Sequence, residues 1–121
     1  MAKKSLKKSA MEDFIKKVEK RDGSIVTFEF ERIVTAINKA MVASAEGSEA
    51  EARMVAHKVL ADLVRISKKF KNFVPTVEGI QDTVEKELIL SEYGVTAKSY
   101  ILYRQKRAEL RLKGVRVPEK V

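Results

Sequence analysis

Val18-Glu19-Lys20-Arg21-Asp22-Gly23-Ser24-Ile25-Val26-Thr27-Phe28 is the stretch on which the reading of this chain turns. Apolar and β-branched residues flank Asp22-Gly23, and an Asp-Gly pair supplies the positive backbone angles of a tight hairpin turn. Ile15 to Lys20 therefore reads as a short strand and Ile25 to Phe30 as its partner, with Arg21-Asp22-Gly23-Ser24 between them. In the second strand Val26, Phe28 and Phe30 alternate with Ile25, Thr27 and Glu29, so one face is more apolar. That face is expected to rest on a helical body.

Working outward, Glu31 to Ser44 is the first expected helix, with Ile33, Ile37, Ala40 and Met41 recurring at helical spacing. Ala45-Glu46-Gly47-Ser48 interrupts it. Ser48 stands three residues before Glu51, the capping-box spacing, and so opens a second helix. Ala52, Val55, Ala56, Val59, Leu60, Leu63 and Ile66 give that helix a core stripe down to Ile66 or Lys69. Phe73-Val74-Pro75-Thr76 reads as an extended connection and a candidate third strand, because Pro75 disfavours helix at its predecessor.

Ile80, Val84 and Leu88 mark the core side of a third helix that ends before Tyr93-Gly94. Gln81, Asp82, Glu85 and Glu87 fall mostly on its solvated sides. Thr96 is expected to cap a fourth helix through about Leu112, in which Ala97, Tyr100, Ile101, Arg104 and Ala108 alternate with Lys98, Gln105, Lys106 and Arg107. The expected architecture is α+β and mostly helical, an N-terminal β-hairpin capping a bundle of about four helices. One domain over 15–112 is flanked by a basic flexible tail over 1–14 and a C-terminal tail over 113–121.

A length of 121 residues suits one domain with a core of its own. No apolar run approaches the roughly 18 residues of a membrane span, and the lysine-rich start is not followed by the apolar segment of a secretory signal. A cytoplasmic location is the expectation. Cysteine is absent, which removes disulfides, cysteine-ligated zinc, a thiol nucleophile and thiyl-radical chemistry from this sequence. The single histidine, His57, cannot form a multi-histidine metal site and is expected at a helix surface or boundary.

The formal net charge is +8. Residues 1–17 hold six lysines against Glu12 and Asp13, which places half of the excess near the N-terminus. One reading of this balance is a small basic nucleic-acid-binding protein using the lysine-rich tail and the last helix. The other is a phosphorylated ligand held by side-chain cations, since neither G-x-x-x-x-G-K-[ST] nor G-x-G-x-x-G is present. Lys20, Arg21, Arg32, Arg104, Lys106 and Arg107 are the available cations, a mixture of planar forks and mobile point charges that suits a polyphosphate. Asp82, Glu85 and Glu87 are expected to form a solvated helix face and not an acid/base site.

Three blocks carry a family resemblance. Val18-x-Lys20-Arg21-Asp22-Gly23 with Phe28-Glu29 and Arg32-Ile33 resembles the opening of ATP-cones. Val77 to Glu85 resembles their E-x-I-Q-D-x-V-E segment, and Ala97-x-x-Tyr100-Ile101-x-Tyr103-Arg104-x-x-Arg107 resembles their ending. The blocks occur in the family's order and cover Val18 to Arg107.

The resemblance implies a nucleotide-sensing domain that binds ATP or dATP, with Mg2+ as a candidate accompanying ion. Lys20, Arg21, Arg32 and Lys106 would face phosphates. Val18, Phe28, Ile33 and Tyr103 would contribute to the nucleotide pocket, with Asp22 and Gly23 forming the turn. Implied partners are a ribonucleotide reductase or another regulated protein, and a second copy of the chain. Glu29 replaces the usual Asp, Arg32 the usual Lys, and Val26 stands where some members carry a carboxylate. Thr76 is offset from the Thr of many members and also suits a helix cap. Without cysteine the sequence is expected to be a free-standing ATP-cone or a severed N-terminal regulatory domain, with no enzymatic activity and no catalytic residues.

Overall fold

The computed structural model describes residues 14–114, so the expectations for 1–13 and 115–121, including most of both tails, lie outside the described residues. The element order is β1 (Lys17–Glu19), β2 (Ile25–Thr27), α1 (Phe30–Ser44), α2 (Glu49–Lys69), α3 (Val77–Leu90) and α4 (Gly94–Leu112). This is the expected hairpin followed by four helices. No helix among the described residues is long and apolar enough to cross a membrane.

The hairpin pairs Lys17 with Thr27, Val18 with Val26 and Glu19 with Ile25, antiparallel. Its strands are shorter than the alternation suggested. Phe30 leaves the second strand to become the first, buried residue of α1, and Val26 remains 39% exposed. Val18 is the buried residue of the ribbon, Ile15 just before it joins the helical core, and Phe28 is half-buried against that core.

The turn also differs in detail from a two-residue Asp-Gly hairpin. The Gly23 N–H donates to the Lys20 carbonyl at 2.9 Å and the Lys20 N–H to the Ser24 carbonyl at 2.8 Å, enclosing a three-residue loop. Only Gly23 takes a positive φ, at 89°. Asp22 keeps an ordinary backbone and instead accepts from the Ser24 N–H and hydroxyl at 2.9 and 2.7 Å.

The core lies between the four helices, where Ile37, Val55, Val59, Leu60, Val84 and Leu88 are fully enclosed. Ile66, expected on this stripe, is 37% exposed, and the buried residues of α2 end at Val64. Ser48 caps α2 by accepting from the Glu51 N–H at 3.3 Å, as its spacing predicts. Arg53 of α2 holds Glu31 of α1 through two bonds of 2.7 and 3.1 Å, which fixes these helices side by side. His57 is half-buried with its ring 4.7 Å from that of Phe30, a boundary position.

Two expectations about α3 and α4 are corrected. Thr96 is not the cap of α4: the helix begins at Gly94, and Thr96 is fully buried in its first turn. Its N–H and hydroxyl both donate to the Glu46 carboxylate at 2.7 Å, so a residue of the α1–α2 loop caps this helix from outside. Glu87 is not on a solvated face either; it is 8% exposed, beside Lys86, which also reaches the buried Asp62 at 3.2 Å.

Candidate functional site

The hairpin turn is held against the start of α3. The Glu19 N–H donates to the Pro75 carbonyl at 2.9 Å, and Glu19 forms a single parallel bridge with Thr76. This bridge is all that becomes of the candidate third strand, since Pro75 lacks an N–H to extend a ladder. Between the two segments lies a groove of about 230 Å³ lined by Glu19, Lys20, Arg21, Thr76, Val77 and Glu78.

Thr76 caps α3, its hydroxyl accepting from the Gly79 N–H at 2.9 Å. The N–H groups of Val77 and Glu78 in the same first turn have no intrahelical acceptor, and both residues line the groove. A helix N-terminus beside two cations is electrostatically suited to an anion.

Arg21 is positioned by α3. Its Nε donates to Glu78 at 2.7 Å and its Nη2 to Gln81 at 3.1 Å. Glu78 accepts a second guanidinium, that of Arg104 on α4, at 2.7 Å. Arg104 also reaches Glu85 at 2.6 Å and Asp82 at 2.8 Å. The turn, α3 and α4 thus meet at one ion-pair cluster.

The hydrogen bonds from Arg104, and then from Arg21, hold the Glu78 carboxyl below the ordinary glutamate range despite an opposing effect of burial. Arg104 itself is pulled down by partial burial, but bonding to Glu78, Glu85 and Asp82 more than reverses this and raises it.

The other residues singled out in the sequence occupy different environments. Lys20 is half-buried at the groove, and Asp22 and Gly23 are exposed at the turn. Arg32, on the first turn of α1, pairs with Glu29 at 3.0 Å. Val18 and Ile33 are buried, Ile33 within the main core, while Phe28 is half-buried. On α4, Tyr103 is 59% exposed and accepts from Arg107 at 3.0 Å, with the guanidinium stacked 5.4 Å from its ring centre. Lys106 is exposed on the same helix.

Sequence reasoning missed the partners of Arg104. Glu78, Asp82 and Glu85 recur at intervals of four and three on α3, a signal for one acidic stripe that a neighbouring cation can bridge. Among the described residues no group of three or more His, Cys, Asp or Glu side chains is placed so that it could hold a metal ion.

A family model described as the ATP cone domain matches residues 16–109, from the first strand through most of α4. A vitamin B12-dependent ribonucleoside-diphosphate reductase of Thermoplasma acidophilum is 44% identical over 102 residues, covering 80% of this chain and 12% of that protein. One of the same description from Mycobacterium tuberculosis is 39% identical over 95 residues, 78% of this chain and 13% of its own length. The ribonucleoside-diphosphate reductase subunit alpha of Chlamydia pneumoniae is 34% identical over 99 residues, 74% of this chain and 9% of the subunit. The chain thus spans 9 to 13% of the length of these relatives.

Proposed function

The chain belongs to the ATP-cone family of nucleotide-sensing domains, and from that premise we propose that it binds ATP or dATP at the groove between the hairpin turn and α3. The observation that carries this reading is the groove itself. Lys20 and Arg21 line it together with Thr76, Val77 and Glu78 at the start of α3, inside the segment that matches the family.

Lys20 and Arg21 engage phosphate oxygens in this reading, supported by Arg32 at the start of α1 and Lys106 on α4. Phe28 and Tyr103 offer partly exposed aromatic surface to the nucleoside in this reading, and the buried Val18 and Ile33 supply apolar surface. The donors fit a polyphosphate: planar guanidinium forks and mobile ammonium groups both donate to phosphate oxygens. Mg2+ enters only as the counter-ion carried by the phosphates, consistent with its preference for phosphate oxygens and water.

The role is regulatory and not catalytic. Nucleotide occupancy biases the packing of the hairpin against α3 and α4, and the difference in affinity between packings shifts association with a partner. The similarity to reductases makes a ribonucleotide reductase, in the cytoplasm, the favoured context. A second copy of the chain is the other candidate partner.

A thermal-shift series with ATP, dATP, GTP and duplex DNA tests this. Adenine nucleotide at about 100 times its Kd stabilises the fold by roughly 2.7 kcal/mol and raises the melting temperature, selectively over GTP. No shift with ATP or dATP, together with steeply salt-dependent DNA binding, would transfer the basic charge to a nucleic-acid role.

A further inference from the structure

Arg21, in the hairpin turn, is held by Glu78 and Gln81, and these partners resemble what a phosphate would offer. A guanidinium binds carboxylate and phosphate oxygens through the same fork. Glu78 meets Arg21 Nε with one oxygen at 2.7 Å, and its other oxygen meets Arg104 Nη2 at 2.7 Å. Gln81 completes the hold on Arg21 with a neutral acceptor at 3.1 Å.

We propose that Glu78 acts as a built-in substitute for nucleotide phosphate, holding Arg21 while the groove is empty and surrendering it to a phosphate oxygen when nucleotide binds. The proposal rests on the reading that Arg21 is a phosphate ligand. It adds that binding there is an exchange of anions and not the filling of a ready fork.

Two features make the exchange feasible. Glu78 is not left unpaired when Arg21 departs, because Arg104 stays on its second oxygen. The Arg21 and Glu78 side chains are 22% and 52% exposed, so water can replace part of what is lost. The exchange also has a direction of travel. Releasing Arg21 leaves Glu78 to Arg104 alone, the guanidinium that Asp82 and Glu85 also hold, and so changes the charge balance at the contact between α3 and α4. Glu78 is a positioning residue in this scheme: it acts on the ligand through Arg21.

Calorimetric titration of ATP, and of inorganic tripolyphosphate as a probe of the phosphate contacts alone, separates the possibilities when run on the unmodified chain, Glu78→Gln and Asp82→Asn. Asp82→Asn removes an equal charge from the same helix at a carboxylate that pairs with Arg104. The expected result is that Glu78→Gln binds both probes about two- to fivefold tighter, a range set by the modest strength of part-exposed ion pairs. Asp82→Asn should gain less than half of that.

An affinity for Glu78→Gln equal to or below that of the unmodified chain overturns the exchange, as does an equal gain from Asp82→Asn, which would mark a general charge effect. Should Glu78→Gln fail to fold, the Arg21 Nε–H resonance of the unmodified chain decides. It shifts on saturation with tripolyphosphate if Arg21 changes partner, and stays in place if it does not. Absence of binding by the unmodified chain and by both variants would instead sink the nucleotide reading itself, and the exchange with it.

Discussion

Thr96 shows how much a single side chain contributes to holding the helices in place. It is fully enclosed, donates through both N–H and hydroxyl to Glu46, and lies 2.9 Å from the Ser44 hydroxyl. Thr96→Val keeps the shape but removes the hydroxyl, leaving Ser44 and Glu46 short of a partner. It should lower the melting temperature by several degrees. The Glu46 carboxyl is held below the ordinary glutamate value by the Thr96 hydroxyl first and the Thr96 N–H second. A depressed carboxylate contributes its full stabilisation above about pH 4.5 and loses it as pH falls through the lowered value in the folded state. Denaturant melts of Glu46→Gln across pH 3 to 7 should therefore show a less stable protein at neutral pH, approaching the parent at the acid end. Parallel curves for the two proteins would contradict this assignment.

Between elements, the loops show which features could be read locally and which could not. Ser48 was legible as a cap because the bond it makes reaches only three residues ahead. Thr76 was open to both roles, and its side-chain bond to Gly79 is the cap; Thr76→Ala should cost about 1 kcal/mol in denaturant unfolding. Thr96 looked like a cap by the same local rule, yet the acceptor that decides its role comes from Glu46, fifty positions earlier. Glu87 and the acidic stripe on α3 escaped a local reading for the same reason, since Asp62 and Arg104 come from other helices. Gly47 has φ 79°, and an added Cβ would meet Met41 Sδ at 2.5 Å. Gly47→Ala thus combines strain with overpacking and should cost about 1 to 3 kcal/mol, read as a shift in urea midpoint.

Across the whole molecule, the four-helix core is the frame that keeps the hairpin turn, the start of α3 and the middle of α4 within reach of one another. Leu60 is at its centre, fully enclosed, and Leu60→Ala should destabilise by about 2 to 5 kcal/mol. Such a loss should weaken nucleotide binding only to the extent that it unfolds the chain, whereas changes at the turn act on binding with the fold intact. Hairpin, helices and core stripe were legible because their patterns repeat along the chain. The joining of Arg21 and Arg104 through Glu78 was not, because it exists only once the helices have packed. The most direct test of the central claim is equilibrium binding of ATP to the unmodified chain and to the double variant Lys20→Ala, Arg21→Ala, with melting curves confirming that both are folded. Saturable binding that falls by tenfold or more in the folded double variant is the predicted result; equal affinity in the two proteins would contradict the claim that the hairpin turn holds the nucleotide.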